Sequence, residues 1–184
     1  MSGRPTLRTA RLVLRPFRDA DAPEVQRLCG DPRIADTTLA IPHPYPDGAA
    51  EAFIARHQAD YDAGRDLTLA ITEKDGGALV GAVGLRINPE HLRGELGYWI
   101  AVPAWNRGYA TEAAQAVMRW GFRHAGLHRI HAHHITRNPA SGRVMEKLGM
   151  SREGELRGWV RKGAVHEDVA VWAVLHDAFE AAGR

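Results

Sequence analysis

Residues 94–135 constrain this chain more than any other stretch. From Gly94 to Val102 it reads "GELGYWIAV", a β-rich run. After the turn "PAWNRG", residues Ala110, Ala113, Ala114, Val117, Met118, Gly121, Phe122 and Ala125 recur at i, i+3, i+4 and i+7, the stripe of a helix facing a core, with Gly126 to end it. "HRIHAHHIT" then returns to strand texture. Strand, helix, strand in that order implies a crossover connection, so at least one pair of neighbouring strands is parallel.

The flanks point the other way. Around Asp75-Gly76-Gly77, "LTLAITEKDGGALVGAVGLRI" gives two β runs joined by a hairpin signal, and the run from Gly94 follows after the turn at Asn88 to Arg93. Behind the crossover, "GELRGWVRKGAVHEDVAVWAVLHDAF" predicts two long strands joined through Lys162-Gly163. Ahead of it, "RLVLRPF" alternates with period two, "RDADAPEVQRLC" starts a helix from Asp19 or Asp21, and a second helix is predicted over Asp47 to Ala63, ending at Gly64. The three prolines of "IPHPYP" make a stiff loop between those helices. Asn138, Pro139 and Gly149 frame a further helix in "NPASGRVMEKLGM". The expected order is β α α β β β α β α β β: an α/β (α+β) chain with a mixed, largely antiparallel sheet of six to seven strands, about four helices and a central β-α-β crossover. At 184 residues it is read as one domain, 1–184.

Composition excludes several classes. With 45% hydrophobic and 25% charged residues the chain is that of a soluble globular protein. A formal charge of +2 lacks the basic excess of a nucleic-acid domain, and no aromatic-basic platform accompanies it. The single cysteine, Cys29, rules out an internal disulfide framework and is read as a buried structural thiol. No run approaches the roughly 18 apolar residues of a membrane span, and the amino-terminal residues lack the core of a signal peptide, so the expected location is cytoplasmic.

Between strand and helix lies "NRGYAT". A helix amino terminus leaves several backbone N–H groups unpaired and carries about half a positive charge, which suits phosphate. Gly108 lets the backbone approach a ligand without a Cβ in the way, Ala110 is nearly as small, Arg107 adds a cation and Thr111 a hydroxyl. The chain has neither a Walker loop nor a dinucleotide fingerprint.

Together, "GELGYWIAVPAWNRGYATEA", "NPASGRVMEKLGM" and "EGELRGWVRKGAVHEDVAVW" resemble the GNAT superfamily of acyl-CoA-dependent N-acetyltransferases, in particular the RimJ/RimL branch that acetylates ribosomal-protein amino termini. The resemblance covers almost the whole chain. It implies that acetyl-CoA is the cosubstrate, that Asn106, Arg107, Gly108, Tyr109, Ala110 and Thr111 cradle its pyrophosphate, and that the strand through Ile100, Ala101 and Val102 pairs with its pantetheine arm. It also implies that Asn138 touches that arm, that Ser141 lies near the sulfur and donates to the departing thiolate, and that Arg143 reaches the nucleotide phosphates. Two positions depart from the family pattern: Trp105 stands where glutamine or arginine is usual, and Ala110 where glycine is. Many related enzymes also carry a tyrosine acid in the helix that follows the Asn138-like position; this chain has Met145 there.

Acetyl transfer from a thioester needs a neutral amine and a polarised carbonyl. An α-amine with a pKa near 8 is partly neutral at cellular pH, whereas a lysine-like amine near 10.4 costs about 4 kcal/mol to deprotonate at pH 7.5. Glu95 is the leading candidate base, since strand alternation puts it on one face with Gly97, Trp99 and Ala101; pairing with Arg86 or Arg93 at the rim is its structural alternative. His131 and His133 share a strand face and offer a second proton-handling possibility beside the plainer reading as exposed or hydrogen-bonded strand histidines. Tyr98, on the opposite alternation from Glu95, is read as core or pantetheine wall, not as an acid. No metal is expected at these histidines or at His128 and His134, because alternation splits them between faces. The expected acceptor is a protein amino terminus or a small-molecule amine such as a polyamine, aminoglycoside or amino-acid conjugate; a non-catalytic acyl-CoA-binding module is the alternative from another class. Arg157, Trp159, Glu167 and Asp168 flank the last hairpin and are read as surface charge and packing, with an acceptor entrance opposite the loop around His43 and Tyr45 as the alternative; the same region is a candidate homodimer contact. Nucleic acid and membrane are not expected partners.

Overall fold

The computed structural model describes residues 3–183; Met1, Ser2 and Arg184, which the single-domain reading includes, lie outside the described residues. Eight strands form one sheet: β1 (Leu7–Arg8), β2 (Leu12–Arg15), β3 (Asp66–Glu73), β4 (Leu79–Asn88), β5 (Arg93–Ile100), β6 (Arg129–Ile135), β7 (Ser151–Lys162) and β8 (Val165–Leu175), in the order β1-β2-β3-β4-β5-β6-β8-β7. Every neighbouring pair is antiparallel except β5 and β6, the two strands that the crossover helix α5 (Tyr109–Arg123) joins.

Alternation along the strands gives each face of the sheet its own core. Leu67, Leu69, Ile71, Val83, Leu85 and Leu96 meet Ala113, Ala114, Val117, Met118 and Phe122 of α5. The alanines let the helix lie close, and each fully buried large apolar side chain contributes about 1.5–3 kcal/mol. On the other face, Ala70, Ala82, Trp99 and Ala101 pack under Phe17 and a group of short helices: α1 (Ala22–Cys29), α2 (Pro32–Thr37), α3 (Ala49–Ala55) and α4 (His57–Asp62). Cys29 belongs to this second core, and burial pushes its thiol up to about 12, so it is held as an inert thiol.

One interruption positions everything that follows. β5 and β6 pair only from Arg93 with Arg129 to Leu96 with Ala132. Beyond that point β5 continues to Ile100 against β4, and β6 continues to Ile135 against β8. The two strands therefore diverge, and the backbone edges that face each other across the gap lose their mutual ladder. α5 begins at the β5 side of this gap, and α6 (Pro139–Lys147) begins just beyond the end of β6.

The structure corrects the expected element list in four places. A short strand, β1, precedes the first expected one and pairs with it. The helix expected over Asp47 to Ala63 is two, α3 and α4, meeting at Arg56. A further helix, α2, follows Asp31, whose side chain caps it by accepting from the Arg33 amide at 3.0 Å. The last strand stops at Leu175 instead of running to Phe179. His176–Ala181 is helix α7, which turns Phe179 back onto Phe122 with ring centroids 4.9 Å apart. The described residues thus hold eight strands and seven α-helices, against six or seven strands and about four helices expected. No helix among them is long and apolar enough to cross a membrane.

Candidate active site

The turn before α5 is built for close backbone approach. Asn106 and Gly108 both adopt left-handed conformations, with φ of 61° and 80°, and the helix start has no side-chain cap. The first-turn amides of Tyr109, Ala110 and Thr111 have no acceptor of their own within the helix. The cation beside them comes from far away in sequence. Arg11 donates to the Arg107 carbonyl at 2.9 Å, pairs with Glu112 at 2.7 Å, and would lie 3.4 Å from a Cβ placed on Gly108. Arg107 itself is turned toward β3, paired with Glu73 at 2.8 Å and stacked over the Tyr109 ring at 4.8 Å. Trp105, the departure from the family pattern, donates its indole N–H to the Ile100 carbonyl at 2.6 Å and so closes the turn.

A cleft of about 300 Å³ runs from this turn to α6. Ile100, Asn106, Gly108, Tyr109, Ala110 and Thr111 line one side; Asn138, Ser141 and Arg143 line the other. Ala101, Val102 and Arg107 are not among its lining residues. Lys147, one helical turn after Arg143, also faces it, and among the described residues neither cation has a carboxylate within ion-pair distance. Asn138 caps α6, accepting from the Ser141 amide at 3.4 Å, while its side-chain amide donates to the Thr37 carbonyl at 3.2 Å.

A second cleft, of about 260 Å³, opens beside it under a roof formed by residues 37–41. Asp66, Arg86, Glu95 and His133 line its floor and Phe53 and Arg56 its wall. Cross-strand register places Asp66 beside Arg86, Arg86 beside Glu95 and Glu95 beside His131. Glu95 lies 3.4 Å from His133 Nδ1 and 3.5 Å from Arg86 Nη1. The hydrogen bond from His133, helped by the charge of Arg86, holds its carboxyl below the usual carboxylate range despite partial burial. Burial lowers the pKa of His131. Burial also raises that of Asp66, whose side chain accepts from the Thr68 hydroxyl at 2.5 Å.

The two clefts share Thr37, Thr38, Tyr98, Trp99 and Ser141, all around the gap between β5 and β6. There the Tyr98 and Ser141 hydroxyls lie 2.7 Å apart. Tyr98 was read from the sequence as wall or core because it alternates against Glu95; the strand divergence is what brings it into the site. Met145, where relatives carry a tyrosine, is buried in the core. Arg157, Trp159, Glu167, Asp168, His43 and Tyr45, the residues expected at an acceptor entrance, line neither cleft. Glu167 instead reaches the roof through Arg137, which pairs with it at 2.8 Å and with Asp36 at 2.9 Å.

The chemistry available at this junction is transfer between two ligands: one held by amides and cations in the first cleft, the other offered to a carboxylate and an imidazole in the second. Residues 11–151 match the model of the acetyltransferase (GNAT) domain. The chain is 31% identical over 181 residues to the Bacillus subtilis (strain 168) protein YoaA, described as an uncharacterized N-acetyltransferase, covering 93% of this chain and 97% of that one. Two solved structures share its fold. One is RimL, a ribosomal L7/L12 alpha-N-protein acetyltransferase in complex with coenzyme A (TM-score 0.86, 17% identity, 95% of this chain and 99% of that one). The other is the spermidine N-acetyltransferase of Vibrio cholerae with coenzyme A and spermine (TM-score 0.81, 20% identity, 94% and 99%). With a family match across most of its length and an N-acetyltransferase relative matched nearly end to end, this chain belongs to the GNAT acetyltransferase family.

Proposed function

We propose that the chain transfers the acetyl group of acetyl-CoA to the α-amine of a protein amino terminus, in a ternary complex without a covalent enzyme intermediate. The observation that carries this reading is the meeting of the two clefts at the interrupted β5–β6 ladder. Donor and acceptor can lie on either side of one gap and touch only there.

On the donor side, the uncapped amides of Tyr109 to Thr111 suit a diphosphate, with Arg11, Arg143 and Lys147 as nearby cations. The edge of β5 beyond Leu96, free of its β6 partner, offers backbone partners to an amide-bearing arm, with the Ile100 carbonyl already taken by the Trp105 indole. In this reading the thioester lies near Ser141. On the acceptor side, Glu95 and His133 take the proton that the amine loses as nitrogen attacks the carbonyl carbon. The C–N bond forms, the C–S bond breaks, and the sulfur leaves as thiolate beside the Ser141 hydroxyl.

An α-amine near 8 is partly neutral at cellular pH and needs little help from a base such as Glu95, whereas a lysine-like amine near 10.4 needs far more; this supports an amino-terminal acceptor. The pair of carboxylates Asp66 and Glu95 in one cleft favours a second reading, a polyamine acceptor.

Thiol release from acetyl-CoA tests both. Peptides with a free α-amine are expected to be turned over with higher kcat/KM than spermidine, and peptides with a blocked amino terminus not at all; the reverse order would replace the acceptor reading by the polyamine one. Glu95→Gln is expected to lower kcat by about 10²–10⁴-fold. Gly108→Glu, which sets bulk and negative charge against the phosphates, is expected to abolish acetyl-CoA binding in calorimetry, and an unchanged affinity would overturn the cradle.

A further inference from the structure

The Tyr98–Ser141 contact joins two elements across the gap in the sheet. Tyr98 comes from β5 and Ser141 from the first turn of α6, and their oxygens are 2.7 Å apart where the two clefts meet. The phenol's other neighbour is the Ser141 carbonyl at 3.5 Å, so its hydrogen-bonding is directed entirely at this one residue. A phenol is a better donor than an aliphatic alcohol, and an alcohol oxygen a better acceptor than a phenol oxygen. The favoured arrangement therefore has Tyr98 donating to Ser141 Oγ, which leaves the serine's own proton free to point into the cleft.

Three features hold that proton in place. The Ser141 amide is tied to the Asn138 side chain at 3.4 Å, fixing the turn that carries the hydroxyl. Ser141 sits at the positive end of α6, where negative charge is stabilised. Burial pushes the Tyr98 phenol up to about 12, so it remains a donor throughout the neutral range.

We propose that Tyr98 is a positioning residue for acetyl transfer: it orients and polarises the Ser141 hydroxyl so that Ser141 hydrogen-bonds the departing sulfur. This rests on the reading of the site given above and adds the residue that makes Ser141 effective. No proton leaves the tyrosine. The amine's proton passes to Glu95, His133 or water on the acceptor side, and the thiolate, stabilised by the Ser141 O–H, takes one proton from solvent as free CoA departs.

Steady-state kinetics on the full chain tests it. Tyr98→Phe keeps the ring and removes one oxygen; it is expected to lower kcat about 10- to 100-fold while the KM for acetyl-CoA stays within about twofold. Ser141→Ala should lose at least as much, and the double variant should be no slower than Ser141→Ala alone, because the tyrosine acts through the serine. Losses that multiply, or a Tyr98→Phe enzyme with unchanged kcat beside a slow Ser141→Ala, overturn the proposal and leave the wider reading standing. A Ser141→Ala enzyme with unchanged kcat removes both the serine's role and this one. Should Tyr98→Phe fail to fold, 2,3,5,6-tetrafluorotyrosine at position 98 keeps the ring and the oxygen and lowers the phenol's pKa far enough to bring its ionisation into the accessible range. kcat is then expected to fall as that donor proton is lost on raising the pH, and a kcat profile identical to the parent's overturns the proposal.

Discussion

Gly97 is exposed on β5, paired with Gly84 of β4, and an added Cβ would meet no atom within 4 Å. Its backbone is ordinary strand, so a β-branched residue fits the local conformation. Gly97→Val is therefore expected to fold normally and to fill the floor of the acceptor cleft beside Glu95. The KM for the acceptor should rise about tenfold or more while the acetyl-CoA affinity, read by calorimetry, stays constant; an unchanged acceptor KM would mean that the amine does not cross β5 here. Period-two alternation made this glycine legible as the neighbour of Glu95. The same rule hid Tyr98, because alternation describes a continuous sheet and this sheet opens at Leu96. Arg11 was hidden for another reason: it is 101 residues from Glu112, and nothing in the sequence brings those two together. Lys147 follows Arg143 by four on α6 and was legible by helical spacing.

Among the elements, the roof over the second cleft is tied down at three points. Arg137 joins Asp36 of α2 to Glu167 of β8, Asn138 Nδ2 donates to the Thr37 carbonyl, and Lys162 Nζ donates to the Ile41 carbonyl at 3.3 Å. The β7–β8 hairpin thus holds the acceptor cover without lining the cleft, which is why its charged residues read from sequence as an entrance. The Arg137 ion pairs are partly exposed, so each contributes about 0–1 kcal/mol to global stability, while the Asn138 and Lys162 contacts are part-buried hydrogen bonds. Arg137→Ala should accordingly leave the melting temperature within a few degrees, yet speed amide hydrogen exchange over residues 36–41 and raise the acceptor KM several-fold. Exchange rates equal to the parent's would show that the roof is held by something else. Helices such as α2 and α7 were missed because six residues give too little periodicity to separate from a loop or a strand end. The crossover helix α5, with 15 residues, was plain.

For the molecule as a whole, the second core carries an acid-sensitive group. His57 is 2% exposed, packs against Phe53 at 4.4 Å and Phe17 at 5.5 Å, and neither ring nitrogen has a hydrogen-bond partner among the described residues. Burial lowers its pKa to about 4, against 6.5 for the free group. The unfolded chain therefore binds this proton more readily than the folded one between those values. The stability contributed by neutral His57 is complete above pH 6.5 and is lost as the pH falls toward about 4. Calorimetric melting temperatures should drop across that window, and His57→Leu should flatten the drop; an equal slope in the variant would place the acid sensitivity elsewhere. The overall architecture was readable because strand and helix periods, hairpin glycines and the helix caps all agree over most of the chain. The eight-stranded order was not, since strand neighbours such as β6 and β8 are set by tertiary packing.

A pleated wall ordinarily keeps whatever lies on its two sides apart. In the proposed function the unzipped seam between β5 and β6 works as a doorway through it, with one visitor arriving by each entrance. Mutation can then redecorate one entrance hall without disturbing the other. A lineage with this architecture can change the guest it serves while keeping the same supplier.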